Sequence, residues 1–410
     1  MTKILQSACN PLQTKGGLAA AYYLRNFLGY KDSEHKINFL ELLRRAIYRN
    51  SNLYSTARIP KRNGKYRILN IPCHELKIVQ RLINKTILQK TRVLKCTFGF
   101  YGGSGLEALK KVVKPEQAIF SVDIVDAFSN TTARAVYHVF RRLKFGHFAS
   151  YYLTCLTTWL HPTRSFSQTK RQSDHDFAHD RSDELHAFLS FGGFNFAGKE
   201  AKLQQNSFVL PQGAPTSPRL FDLCFWQLDY NLVVRAIHVK GYYVRFADNL
   251  YFSAPEFWRD GQIDITKNNK GALLFHSPLI SSIYDIMRAG YRIWIEPFQN
   301  MPRYTQKWYQ IYKLHKARLL MPDDKDCLPA LGYNVFPDGT IRNKRRFVLR
   351  IRMSVFNLRK ALESGNYEDT WRIYQKLQGQ MQFAIHDQLP PRLLKQATDL
   401  LSQINSQQAI

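Results

Sequence analysis

Negative charge is what this chain has least of. Its 410 residues carry 31 Asp plus Glu against 59 Lys plus Arg, a net charge of +28. Such an imbalance favours a polyanionic partner, nucleic acid first and an anionic membrane surface second. No apolar run is long enough to cross a bilayer, so no membrane partner is expected. Met1 to Tyr30 starts polar and lacks the continuous apolar core of a cleavable signal peptide. Cysteine is sparse too: Cys9, Cys73, Cys96, Cys155, Cys224 and Cys327 include no Cys-x-x-Cys pair. That argues against a zinc module and fits a reducing, cytoplasmic location. The glycine-rich stretch Phe98-Gly-Phe100-Tyr-Gly-Gly-Ser104-Gly lacks the Lys-Ser/Thr ending of a phosphate-binding loop and reads as a tight backbone passage.

What is present is enough for a core. Hydrophobic residues make up 45% of the chain, which suggests two or three packed subdomains. Residues 1–50 read as helical, with Phe39, Leu42, Leu43 and Ile47 on one face for packing, a grip on RNA being the alternative. From Tyr54 to Pro72 two strands flank Asn63-Gly64, a strong hairpin signal. Lys61, Arg62, Lys65 and Arg67 crowd that turn; they suit clamping a triphosphate, or form a solvated basic turn. Residues 75–95 read as a basic amphipathic helix.

Two carboxylates sit where backbone is rigid. An apolar strand ends at Asp123, and a turn leads into a helix from Thr131 to Leu143. Tyr243 to Phe252 reads as a hairpin whose Ala-Asp-Asn corner carries Asp248. Oxygen ligands of this kind suit Mg²⁺, which takes one or two carboxylates plus substrate phosphates. The alternatives are a helix cap at Asp123 and an ordinary turn former at Asp248. Between them, 161–206 is polar and irregular. Its Asp174, His175, Asp176, His179, Asp180, Asp183 and His186 match no ligand spacing, so a solvated insertion is expected. Then Leu-Pro211-Gln212-Gly213-Ala-Pro-Thr-Ser-Pro218 brings backbone that could approach a base pair, or simply starts a helix, ahead of an apolar segment from Leu220 to Ile237.

The C-terminal third is basic. Arg342, Lys344, Arg345, Arg346, Arg350, Arg352, Arg359 and Lys360 interleave with Phe347, Val348, Ile351, Val355 and Leu358 at helical spacing. One apolar stripe and a dense cationic face fit a helix that tracks a phosphate backbone. Trp308 to Lys316 alternates aromatics with cations, suiting base stacking or core packing. Residues 366–410 read as further helices with a polar tail from Ser402.

Taken in order, the basic hairpin Lys61–Arg67, Asp123-x-x-Asp-Ala-Phe128, Leu-Pro-Gln212-Gly-Ala-Pro-Thr-Ser-Pro218 and Phe246-Ala-Asp248-Asn249 resemble four blocks of the bacterial reverse transcriptases of the retron and group II intron type. The resemblance is good over 55–255 and looser to Leu331-Gly-Tyr-Asn-Val335, which is similar to a primer-grip hairpin. It implies an α+β right-hand polymerase: an N-terminal helical extension at 1–50, fingers at 51–117, a palm at 118–335 whose antiparallel sheet carries the catalytic Asp residues, and a basic helical thumb at 336–410. Carried over, Asp123, Asp248 and Asn249 are catalytic, and Asp123, Asp248 and the Ile124 carbonyl hold Mg²⁺, with Mn²⁺ as the alternative. Lys65 and Arg67 hold the triphosphate, Phe128 is the gate against a ribose 2′-hydroxyl, and Gln212 and Gly213 lie near the templating pair. Arg345, Arg346, Arg350 and Arg352 bind nucleic acid.

The resemblance implies RNA-directed DNA synthesis on a dedicated non-coding RNA in antiphage defence, with dNTPs and a DNA product. A second protein subunit or a second copy of the chain is a further candidate partner. One departure stands out: the family usually ends its hairpin Ala-Asp-Asp, and here Asn249 replaces the second carboxylate. Untemplated or protein-primed synthesis, and a catalytically weak RNA-binding subunit, therefore stay open. Asn-Ala-x-x-His after the fingers and a Val-Thr-Gly thumb signature are missing, which directs the resemblance toward abortive-infection and defence-associated enzymes.

Overall fold

The computed structural model describes residues 15–48, 53–60, 66–100, 103–124, 126–160, 208–255 and 317–408, together with Leu12 and short pieces between 264 and 287. In chain order come helices α1 (Lys15–Leu28) and α2 (Phe39–Tyr48), strands β1 (Tyr54–Pro60) and β2 (Tyr66–Pro72), helices α3 (His74–Ile83) and α4 (Gly105–Val112), and strand β3 (Ala118–Asp123). Helices α5 (Ala133–Arg142), α6 (His147–Thr157), α7 (Ser217–Cys224) and α8 (Trp226–His238) precede the hairpin β4 (Tyr242–Phe246) and β5 (Asn249–Ala254). A short pair β6 (Asp264–Lys267) and β7 (Leu273–His276) follows. Strands β8 (Arg318–Leu320), β9 (Leu328–Ala330), β10 (Tyr333–Val335) and β11 (Ile341–Asn343) lead into helices α9 (Arg345–Glu363), α10 (Tyr367–Phe383) and α11 (Pro391–Gln408). The class is α+β, as expected.

The chain divides into two compact units, one drawn from 1–101, 123–232 and 281–313, the other from 102–122, 233–280 and 314–410. In the first, the apolar periodicity works as read: Phe39, Leu42, Leu43 and Ile47 are buried on α2. Strands β1 and β2 pair antiparallel from Tyr54↔Pro72 to Pro60↔Tyr66. Buried Gln80 on α3 donates to the Tyr54 hydroxyl at 2.8 Å and to the Leu156 carbonyl at 2.9 Å, tying hairpin, α3 and α6 together. The helix expected over 75–95 is shorter. It ends at Ile83 and passes into one π-helical turn, Asn84–Leu88. Long-range partners take over there: Arg219 donates to the carbonyls of Leu88 and Thr91, and the Asn84 amide donates to the Pro215 carbonyl at 3.3 Å. The apolar segment expected from Leu220 to Ile237 breaks into α7 and α8 at Phe225, whose ring centroid lies 4.4 Å from that of Phe221.

In the second unit the sheet runs in the order β8–β3–β5–β4. β8 pairs antiparallel with β3 through Leu319↔Phe120, and β4 pairs antiparallel with β5 through Tyr243↔Phe252. Phe120 and Phe252 meet between neighbouring strands, their ring centroids 6.4 Å apart. Gly241 opens the hairpin because nothing larger fits: a Cβ there would stand 2.3 Å from the Ser253 carbonyl oxygen. Helix α4 starts with a reciprocal cap, the Ser104 hydroxyl accepting from the Glu107 amide and the Glu107 carboxylate accepting from the Ser104 amide.

Strands β9, β10 and β11 form a three-stranded meander, in agreement with the expected hairpin around Leu331. The meander is tied to the helices behind it. Tyr333 stacks on Phe383 with centroids 4.7 Å apart and donates its hydroxyl to the Phe383 carbonyl. The Asn343 side chain donates to the Ile385 carbonyl at 2.8 Å and accepts from the Ile385 amide at 3.1 Å. Helices α9, α10 and α11 share a core that includes Phe347, Ile351, Leu358, Leu377, Ala397 and Ile404. The polar tail expected from Ser402 is instead the last turns of α11. Leu400 and Ile404 are buried there, and Asn405 accepts from the Tyr374 hydroxyl.

Candidate functional site

The most constrained part of the sheet is the corner between β4 and β5. Phe246↔Asn249 is its closing pair, which leaves Ala247 and Asp248 as a two-residue turn. Such turns need positive φ, and Ala247 has φ 53° although it carries a Cβ. Asp248 is half-buried on this corner. The Asn249 amide donates to Asp248 Oδ1 at 3.1 Å and reaches the Phe246 carbonyl at 3.5 Å. Beneath them Arg245 is 0% exposed, and its Nη1 donates to the Ala247 carbonyl at 3.0 Å.

Asp123 closes β3, the strand beside β5 in the sheet, and is 9% exposed. Ile124 is fully buried. Asp126 turns the chain out of the strand through the left-handed region, φ 39°, into the single helical turn Ala127–Asn130 that carries Phe128. The Phe128 ring sits 5.6 Å from Phe221 and 6.0 Å from Phe100, centroid to centroid, so the expected gate is braced by two aromatics.

Gln212 and Gly213 are locked onto β2. The Asn70 amide donates to the Gln212 carbonyl at 2.7 Å, and the Gln212 amide donates to the Asn70 side-chain oxygen at 3.1 Å. Gly213 has φ 118°, a conformation that strains any other residue, and a Cβ there would lie 3.4 Å from the Asn70 carbonyl. Of the two cations expected on triphosphate, Arg67 is exposed on β2 opposite Ile59, while Lys65 lies outside the described residues. Arg345, Arg346, Arg350 and Arg352 are all exposed on α9, with Phe347, Ile351, Val355 and Leu358 turned into the core.

The His/Asp group at 174–186 and the aromatic run at 308–316 lie outside the described residues. Among the described residues no group of three His, Cys, Asp or Glu could hold a metal ion. None of the described helices is long and apolar enough to cross a membrane.

Sequence reasoning missed three features. Asn70 gave no signal, because its role depends on a loop far along the chain. Arg245 could have been noticed: it shares a strand face with buried Tyr243, where a cation is out of place. On α9 a second apolar row, Leu349, Met353 and Phe356, stays exposed among the arginines.

Residues 59–257 match the family described as reverse transcriptase (RNA-dependent DNA polymerase). The Retron Mx162 reverse transcriptase of Myxococcus xanthus is 26% identical over 200 residues, covering 49% of this chain and 35% of that protein. The Retron Mx65 reverse transcriptase of the same organism is 26% identical over 203 residues, 50% of this chain and 41% of that protein. For the Retron Ec86 reverse transcriptase of Escherichia coli the values are 24% over 217 residues, 52% and 53%. The chain thus spans about half or less of the length of each of these relatives.

Proposed function

With a reverse transcriptase domain at 59–257 as the premise, we propose that the chain is an RNA-directed DNA polymerase that extends a DNA strand from dNTPs. The observation that carries the reading is Asp248 on its rigid two-residue turn, next to a strand that ends in the nearly buried Asp123. Asp123 is delivered by the end of a strand and Asp248 by a two-residue turn held between paired strands, short and supported backbone of the kind a precise cation site needs. Their donor chemistry is hard oxygen, fitting Mg²⁺ with Mn²⁺ as a substitute. Asp123, Asp248 and the Ile124 carbonyl would hold the metal, which when bound would supply positive charge to activate a primer 3′-hydroxyl and offset that of a leaving pyrophosphate.

The chain's own residues then divide the remaining work. Lys65 and Arg67 neutralise the incoming triphosphate. Phe128 occupies the space a ribose 2′-hydroxyl would need, and its brace against Phe221 and Phe100 supports a gate that does not yield. Gln212 and Gly213, fixed to Asn70, bring glycine backbone close to the templating pair. Exposed Arg345, Arg346, Arg350 and Arg352 run along the phosphates of the duplex. After the N-terminal extension at 1–50, residues 51–117 serve as fingers, 118–335 as palm and 336–410 as thumb. The template is a dedicated non-coding RNA, and the setting is cytoplasmic antiphage defence; the sequence resemblance supports both.

Sequencing the nucleic acid that copurifies with the native chain and with Asp248→Ala tests this. One RNA plus complementary DNA, with the DNA lost in the variant, is the expected result. Repetitive DNA unrelated to any bound RNA would replace the reading with untemplated synthesis. RNA alone in both samples would replace it with a non-catalytic RNA-binding subunit.

A further inference from the structure

The turn that presents Asp248 is made of residues poorly suited to it. Two-residue hairpin loops take Gly, Asn or Asp where φ is positive, and Ala247 at φ 53° is none of these. Something must hold the corner in place. Arg245 Nη1 reaches the Ala247 carbonyl at 3.0 Å from a fully buried position, and Asn249 Nδ2 reaches Asp248 Oδ1 at 3.1 Å.

From these contacts we infer that Arg245 and Asn249 are positioning residues for Asp248. Arg245 fixes the backbone at Ala247, and Asn249 serves as a hydrogen-bond donor that aims the carboxylate, not as a metal ligand. The inference rests on the reading of Asp248 as a metal-holding group. Its chemistry follows from the amide. Asn249 turns its NH₂ edge toward both Asp248 Oδ1 and the Phe246 carbonyl, so the edge facing the carboxylate is the donor edge and not the acceptor oxygen. The bond to Oδ1 fixes the orientation of the carboxylate on the turn. An aspartate at 249 would have no donor to offer and would set a second negative charge beside the first. The loss of the usual second carboxylate is therefore a change of role, from charge to aim.

The same geometry assigns Arg245 its part. Its cation is buried within the strand under the corner, where a guanidinium persists only if hydrogen-bonded. Holding the Ala247 carbonyl restrains the left-handed peptide that a Cβ disfavours. A glycine at 247 would adopt that conformation unaided.

The test uses the full chain, poly(rA)/oligo(dT) with dTTP for turnover, and Mn²⁺ binding followed by electron paramagnetic resonance. Arg245→Met should lower kcat about tenfold or more while the dTTP KM and the Mn²⁺ Kd stay within about twofold. Adding Ala247→Gly to Arg245→Met should recover a large part of the lost kcat. Asn249→Asp should bind Mn²⁺ at least as tightly as the native chain yet turn over about tenfold more slowly. Native turnover in Arg245→Met, no recovery by glycine in a folded double variant, or native turnover in Asn249→Asp would each overturn the inference. If Arg245→Met does not fold, Asn249→Asp on the half-buried side of the turn decides alone. A native chain that neither binds Mn²⁺ nor extends the primer would mark failure of the metal reading itself, and the inference would fall with it.

Discussion

Replacing Asn70 by alanine should loosen the Gln212 loop more than it destabilises the protein. Asn70 is 3% exposed and makes two opposed contacts with Gln212, one through its backbone amide and one through its side-chain oxygen. Alanine keeps the first and deletes the second, leaving the Gln212 amide without its acceptor. Such an orphan costs about 1–3 kcal/mol when buried, and half-buried Gln212 stands toward the lower end. Part of that is returned, because Asn70 Nδ2 is itself buried with no hydrogen-bond partner among the described residues, and alanine removes it. The net local cost is therefore about 1–2 kcal/mol, equivalent to roughly five- to thirty-fold more opening of the contact. Amide hydrogen exchange reads this directly. The Gln212 amide should exchange faster by that factor in Asn70→Ala, and so should the amide of residue 70, whose acceptor is the Gln212 carbonyl. The Leu210 amide, held by the Thr131 carbonyl at 3.0 Å, should not change. Unchanged exchange at Gln212 would refute the reasoning, because it would mean the loop is held by something other than Asn70.

Three further outcomes follow from the same geometry. Phe128→Val should let ribonucleotides compete roughly tenfold better or more in single-nucleotide incorporation; unaltered discrimination would remove the gate from Phe128. Arg350→Gln with Arg352→Gln should reduce the slope of log affinity against log salt by about two in duplex-binding titrations, with no change in sequence preference. His138 is held down to about 4 by burial first and then by Arg134, Arg142 and Arg141. Its proton is taken up more readily by the unfolded chain, so stability is full above pH 6.5 and is lost as pH falls from there toward 4. Discounted for partial exposure, the loss should reach about 1–2 kcal/mol, and His138→Gln should flatten this part of a thermal-melting profile against pH.

Much of this architecture could be read before any coordinates because its signals are local. The pairing of β1 with β2, the strand ending at Asp123, the corner at Asp248 and the buried row on α2 each depend on residues close together in the chain. What was misread depends on distant partners. The helix after Pro72 gives way to a π-helical turn that ends at Leu88, where Arg219, more than a hundred residues later, takes up the freed Leu88 and Thr91 carbonyls. The end of α11 looked polar because its few apolar positions, Leu400 and Ile404, serve a core made with α9 and α10. Within the candidate site, the acidic groups were legible from type and spacing. The contacts that orient the site, Arg245 to the Ala247 carbonyl and Asn70 to the Gln212 loop, were not, since no short motif encodes them.

Gly332 has a mechanical consequence. At φ 94° its bare Cα faces the Phe383 ring, and a Cβ there would come within 2.7 Å of that ring. With Tyr333 stacked on the same ring and Asn343 bonded to Ile385, the meander is fastened to the far end of α10 at three points. Phe347 of α9 meets the same ring, so helix bundle and meander share one aromatic joint, while Leu331 also packs on Gly105 and Gly339 on Pro115. A displacement of α9 would thus reach the Leu331 tip through the Phe383 ring, without a signal passing through the sheet.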